Sequence, residues 1–173
     1  SFPRKYQLHY QSEYGQNRTH DQEVTYMAAF TTATASDAHF AYDNHIITLW
    51  DVVGRPTNTF ATCYAEVGHG YDAYRDAADT TLKARWEACE CRFGEDDGVE
   101  SCSTPIVDDV CSYVVSCKPG YINPQTADCG GTGNLHCNAK CEPCPAGTYQ
   151  AGDHCEDCDQ YMTSLPAATS IAE

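Results

Sequence analysis

Tyr6-Gln7-Leu8-His9-Tyr10-Gln11 decides the fold class. Large apolar side chains alternate there with polar ones, the period of a strand with one wet face. Val24, Tyr26, Ala28 and Phe30 repeat the pattern against Thr25, Met27 and Ala29. His45 to Val53 reads as a third strand. Gly54-Arg55-Pro56 is a turn signal and Thr59 to Val67 a fourth strand, so 45–67 is expected to form a hairpin. Thr31 to Ser36 suits either a strand edge or an O-glycosylated loop. One helix is expected near 72–90, where Tyr74, Ala78, Leu82 and Trp86 recur every four residues. Asp72 would be its N-cap and Gly94 its stop. The expected architecture is mainly β: a small antiparallel β-sandwich-like domain with one helix over 1–90. A disulfide-rich loop module follows over 91–160, then an extended tail over 161–173.

The cysteines mark the change of character. The chain has 173 residues and 12 Cys, of which only Cys63 precedes residue 89. The others are Cys89, Cys91, Cys102, Cys111, Cys117, Cys129, Cys137, Cys141, Cys144, Cys155 and Cys158. The second part is poor in large apolar residues, and a segment of that size buries too little surface without cross-links. An even, dense set of cysteines points to an oxidising compartment. Eleven cysteines cannot all pair among themselves. Either Cys63 crosses to the tail, with the 89–102 group as the favoured partner, or two thiols stay free or pair between molecules. Cys89 and Cys91 are too close to bond each other comfortably and should take different partners.

Charge excludes whole classes of function. Lys and Arg total 10 against 25 Asp and Glu, a formal net charge of -15. Such a surface repels phosphate backbones, so no nucleic-acid partner is expected. No apolar run approaches the roughly 20 residues that span a bilayer, so no membrane span is expected. The chain opens on Ser1 without a basic-then-apolar leader, and the expectation is a processed, secreted product. Asn17-Arg18-Thr19 is the single N-glycosylation sequon, and a covalent glycan is expected at Asn17.

The sharpest local pattern is Cys141-Glu-Pro-Cys144-Pro-Ala-Gly147-Thr-Tyr149-Gln, then Cys155-Glu-Asp-Cys158, a C-x2-C-x10-C-x2-C spacing. Four thiolates so spaced could hold Zn²⁺. Disulfides are preferred, because the other eight cysteines show no second such spacing and the segment is acidic and loop-like. The stretch resembles the ephrin-receptor-like, or growth-factor-receptor-like, cysteine-rich repeat of extracellular proteins. That resemblance implies pairing of Cys141 with Cys155 and of Cys144 with Cys158, and it brings no catalytic activity. Cys117-Lys-Pro-Gly120-Tyr121 echoes the motif 27 residues earlier, without a preceding C-x2-C.

No enzyme is expected. The seven His lack ligand spacing, and neither a nucleophile elbow nor a phosphate loop occurs. Asp96-Asp97 and Asp108-Asp109 are adjacent pairs, read as solvated acid rather than catalytic pairs. Ca²⁺ is the one cofactor the composition offers, at Gly94 to Glu100, but the spacing of a calcium loop is absent and a solvated acidic loop is the reading taken. The functional expectation is a secreted, non-enzymatic structural protein, a subunit of an extracellular filament, sheath or coat made of copies of itself. The alternative is an extracellular receptor-like or secreted binding module for a protein or glycan. A third reading, a secreted hydrolase, would need two carboxylates or a His–carboxylate pair gathered in a pocket. The polar stretch after the first strand is long for a hairpin loop. Tyr6, Leu8 and Tyr10 are therefore candidates to dock on a neighbouring copy by strand exchange, with folding back onto their own sheet as the alternative.

Overall fold

The computed structural model describes residues 3–14, 18–53, 63–127, 135–159 and 165–170. Asn17, Cys129 and the Gly54-Arg55-Pro56 turn lie outside the described residues. The chain divides into two compact units. The first is Ser1–Ala88 with Ile106–Val110, and the second is Cys89–Pro105 with Cys111–Glu173. Both are built mainly of strands.

The first unit contains β1 (Lys5–Gln11), β2 (Thr19–Thr25), β3 (Phe30–Thr31), α1 (Ala35–Ala38), β4 (His45–Val53), β5 (Tyr64–Ala65), β6 (Gly70–Tyr71) and β7 (Thr80–Ala88). Five of them form one sheet in the order β2-β1-β7-β4-β5. β1 runs antiparallel to β2 but parallel to β7, so the sheet is mixed. β4 pairs antiparallel with β7 along its whole length, with a bulge between Ile47 and Leu49, and with β5 at Trp50 and Asp51.

Alternation sorts the two faces. Leu8, Tyr10, Val24, Ile47, Trp50, Leu82 and Ala84 are buried together, and Ala33, Ala35, Ala38, Phe40 and Tyr74 close over them. Trp50 is fully buried. Its ring meets Tyr10 edge-on at 4.7 Å, and its Nε1–H donates to the Ala33 carbonyl at 2.9 Å. A buried indole N–H needs such a partner, because an unpaired one is costly. The opposite face is polar, and ion pairs bridge its strands: Lys5 with Glu23, His9 with Asp21, and Arg85 with Asp51.

The expected helix near 72–90 is corrected. Thr80–Ala88 is the strand β7, and the one α-helix among the described residues is α1, a single turn at Ala35–Ala38. A spacing of four satisfies the strand period of two as well as the helical 3.6. Thr80, Leu82 and Ala84 are buried on one side of β7, as a strand requires. Thr80-Thr81 adds two β-branched residues that favour extended backbone. In α1, Thr34 accepts the Asp37 N–H and Asp37 accepts the Thr34 N–H, a capping box. His39 ends the turn in left-handed backbone, φ 57°. The Asp109 carboxylate accepts the Ser36 hydroxyl at 2.8 Å, so one of the adjacent acids is tied down within this unit.

The second unit contains β8 (Glu90–Arg92), β9 (Val99–Ser103), β12 (Val114–Cys117), β13 (Tyr121–Ala127), β14 (His136–Pro143), β15 (Thr148–Ala151) and β16 (His154–Asp157). Two short strands, β10 (Ile106–Val107) and β11 (Val110–Cys111), make a hairpin whose turn residues Asp108 and Asp109 both have positive φ. β14 lies between β13 and β8, β9 pairs with β12, and β15 with β16. The buried apolar cluster is small: Val99, Ala139 and Cys141, with Cys91, Cys102, Val115, Cys117 and Tyr121 against it. Disulfides supply what this core lacks. Cys89–Cys111, Cys91–Cys102, Cys117–Cys141 and Cys144–Cys155 close separations of 22, 11, 24 and 11 residues. Bridges over such loops restrict the unfolded chain by about 2–4 kcal/mol each. Cys137 is also disulfide-bonded.

The pairing differs from the one the resemblance implies. Cys141 bonds Cys117 instead of Cys155, and Cys144 bonds Cys155 instead of Cys158. Cys141 is drawn into the small core beside Cys117, and Cys155 is then held to Cys144 across the β15–β16 hairpin. Cys158 and Cys63 are free thiols, so the expected link from Cys63 to the 89–102 group is absent. The internal echo has a structural basis. Tyr121 N–H bonds to Lys118 C=O, and Thr148 N–H to Pro145 C=O, with Gly120 and Gly147 at φ 84° and 86°. These are two tight turns, each with a glycine at its left-handed position. The tail residues are not loose throughout. Ala167 N–H donates to Cys144 C=O, Ala168 C=O accepts the Gln150 N–H, and Ala168 is buried.

Candidate functional site

β1 is an inner strand of its own sheet. β2 flanks it on one side and β7 on the other, and Leu8 and Tyr10 are fully buried in the unit's own core. Tyr6 packs against that core, with the rings of Tyr26 and Tyr74 about it at 6.4 and 6.1 Å. In this single chain the strand lies within the sheet of its own unit. The reason is local: β7 presents a parallel edge in register from Thr80 to Lys83, and alternate β1 side chains fit the Trp50 core.

The edge this leaves at the end of the sheet is β2. Its main-chain directions follow from two hydrogen bonds that bracket the β1–β2 ladder: Tyr26 N–H to Arg4 C=O, and Ser12 N–H to Arg18 C=O. Antiparallel pairs alternate between bonded and non-bonded, so His20, Gln22 and Val24 turn their main chain toward β1. Thr19, Asp21, Glu23 and Thr25 turn theirs outward. Of these outward groups, the Thr25 carbonyl accepts the Ala28 N–H; the others meet no main-chain partner among the described residues.

The side chains of the same residues give the edge its charge. Asp21 and Glu23 stand on the solvent face, exposed by 62% and 54% of their side-chain area even though each is paired. Lys5 holds Glu23 at 3.1 Å, and His9 Nδ1 meets Asp21 Oδ1 at 2.6 Å. His9 Nε2 lies 3.7 Å from Asp79 Oδ2, while Asp79 Oδ1 accepts the Gln7 N–H. The hydrogen bond to Asp21 raises the His9 pKa, against the opposing pull of partial burial. This His–carboxylate group sits on the open face of a sheet and cross-links β2, β1 and the loop entering β7. Its chemistry is that of a charge clamp between strands.

On the core side, the Tyr10 hydroxyl joins three segments. It donates to Gln22 Oε1 at 2.6 Å and accepts the Ala33 N–H at 3.0 Å. Gln22 in turn donates to the Thr31 carbonyl. Burial pushes the Tyr10 phenol far above its ordinary value.

The acidic loop of Gly94 to Glu100 forms a 3₁₀ turn at Glu95–Asp97. Asp97 accepts the Gly94 N–H at 2.7 Å and Lys118 Nζ donates to the Glu95 carbonyl, so two of the loop's oxygens are used in closing it. Among the described residues no group of three His, Cys, Asp or Glu side chains is placed to hold a metal ion. No helix of the described residues is long and apolar enough to cross a membrane.

The second strand, expected at Val24 to Phe30, lies earlier: β2 is Thr19–Thr25, starting inside the stretch expected as a polar connection, and Phe30 belongs to β3. The alternation was there: His20, Gln22 and Val24 against Asp21 and Glu23. It was hidden because the inward residues are mostly polar, and Gln22 earns its place by hydrogen bonds, not hydrophobicity. No family model, no curated protein and no solved structure matches this chain.

Proposed function

We propose that this chain is a secreted, non-enzymatic structural protein, a subunit of an extracellular filament, sheath or coat, and that it joins its neighbours there through exposed strand edges rather than by exchanging β1. The observation that carries the reading is β2: seven residues of ordered edge strand with outward N–H and C=O groups and no covering element among the described residues. Such an edge is a template for strand addition.

The second unit supports the compartment and the role. Bridges such as Cys91–Cys102 and Cys117–Cys141 beside a small buried cluster suit an oxidising environment and a spacer that needs little core. The likeness of Cys141–Cys158 to the extracellular cysteine-rich repeat points the same way. The free thiols of Cys63 and Cys158 are available for covalent links between copies. A glycan on Asn17 belongs to the same proposal. Electrophoresis of native material with and without reductant, after blocking free thiols, tests the covalent part. Ladders of multiples of a single band that collapse on reduction would support it. A single band in both lanes would remove it.

A further inference from the structure

The charge on β2 selects what can be added to it. Consider first a second copy of β2, packed antiparallel about a two-fold axis. Centred on Gln22, that pairing sets Asp21 opposite Glu23 of the copy, twice. Centred on Asp21 or on Glu23, it sets a carboxylate opposite itself. Each register that engages the outward-facing residues over most of the strand therefore brings like charges together, and directly opposed like charges destabilise a strand pair. Lys5 and His9 neutralise Asp21 and Glu23 only from the inner side, and both carboxylates remain more than half exposed.

The edge thus refuses itself and suits a strand of opposite charge. We propose that the outer edge of β2 is a strand-addition site for an extended segment of another protein that carries Lys or Arg at alternate positions. The main-chain groups of Thr19, Asp21, Glu23 and Thr25 supply affinity. Asp21 and Glu23 supply register and selectivity, because a one-residue slip would move the partner's cations to the opposite face of the sheet. The partner's intervening side chains continue the row of His20, Gln22 and Val24, so Thr or Val suits those positions. The inference rests on the assembly reading and narrows it to a basic partner strand at this edge.

The test uses the whole chain and two synthetic peptides, acetyl-Thr-Lys-Val-Lys-Thr-Val-amide and the same peptide with Glu in place of Lys. Amide exchange by NMR reads the outward N–H groups of Asp21 and Glu23 directly. The Lys peptide should slow exchange at Asp21 and Glu23, leaving His20 and Gln22 unchanged because these already bond to β1. It should bind about tenfold more tightly than the Glu peptide, from two favourable cross-strand pairs set against two unfavourable ones. D21K/E23K should reverse the preference, with its amide spectrum showing that the sheet is retained. No protection up to millimolar Lys peptide, or equal protection by both peptides, would overturn the inference. Ordered polymers in native material together with such a failure would sink the basic-strand inference and leave the assembly reading standing.

Discussion

Tyr10→Phe removes one oxygen atom and keeps the ring. In the native chain that oxygen accepts the Ala33 N–H at 3.0 Å and donates to Gln22 Oε1 at 2.6 Å. Tyr10 is fully buried and Ala33 is 5% exposed, so the orphaned Ala33 N–H has no water to turn to. The contact of the ring with Trp50 at 4.7 Å survives, so the loss is that of the hydrogen bonds and not of packing. An unsatisfied buried donor costs about 1–3 kcal/mol. In a domain of this size each kcal/mol lowers Tm by about 4–8 °C. Both tryptophans of the chain, Trp50 and Trp86, lie in the first unit, so fluorescence during urea unfolding follows that unit alone. The midpoint should fall with an unchanged slope. Gln22→Leu should cost less, since Gln22 is half-buried and water can replace it. A pH arm adds a sign. Burial raises the folded-state pKa of Tyr10 above the ordinary 10, so its contribution is whole below pH 10 and is lost as pH rises beyond it. The native chain should therefore lose more stability above pH 10 than Tyr10→Phe does. An unchanged urea midpoint, or identical alkaline profiles, would refute the reasoning.

Three further outcomes are expected. The His9 pKa is raised chiefly by its hydrogen bond to Asp21, so its contribution to stability is full below the ordinary 6.5 and lost as pH rises through the raised value; Asp21→Asn should bring the His9 NMR titration back toward 6.5, and an unmoved midpoint would contradict the clamp. Gly120→Ala places a Cβ 1.6 Å from the Ala167 carbonyl oxygen at a backbone φ of 84°; it should cost about 1–3 kcal/mol from the strained conformation alone and should release residues 165–170, seen as faster exchange of the Ala167 N–H. In material that runs as single chains without reductant, alkylation before reduction should label Cys63 and Cys158, and an unreduced peptide map should join Cys117 to Cys141 and Cys144 to Cys155; a Cys141–Cys155 peptide would reinstate the pairing implied by the repeat.

How much of this is legible in the chain depends on the range of the interaction. His45–Val53 reads directly, because a run with β-branched residues and a buried Trp has few other uses. β7 does not, since Tyr74, Ala78, Leu82 and Trp86 fit two periods and only the partners β1 and β4 decide between them. α1 was readable from Thr34 and Asp37, the two ends of a capping box, but a four-residue helix leaves no periodicity to draw attention to it. Cysteine spacing shows that the second unit is stapled. Which sulfur meets which depends on strand neighbours: Cys117 and Cys141 meet because β12 and β14 bring them into one small core. β2 became visible as an edge only once the strand order was known.

The central claim, that this chain builds an extracellular assembly, is tested most directly by negative-stain electron microscopy of the native material. The account predicts ordered polymers or sheets with a regular repeat, some of them held by bonds that reductant breaks. A uniform field of single particles across the concentration range would contradict it.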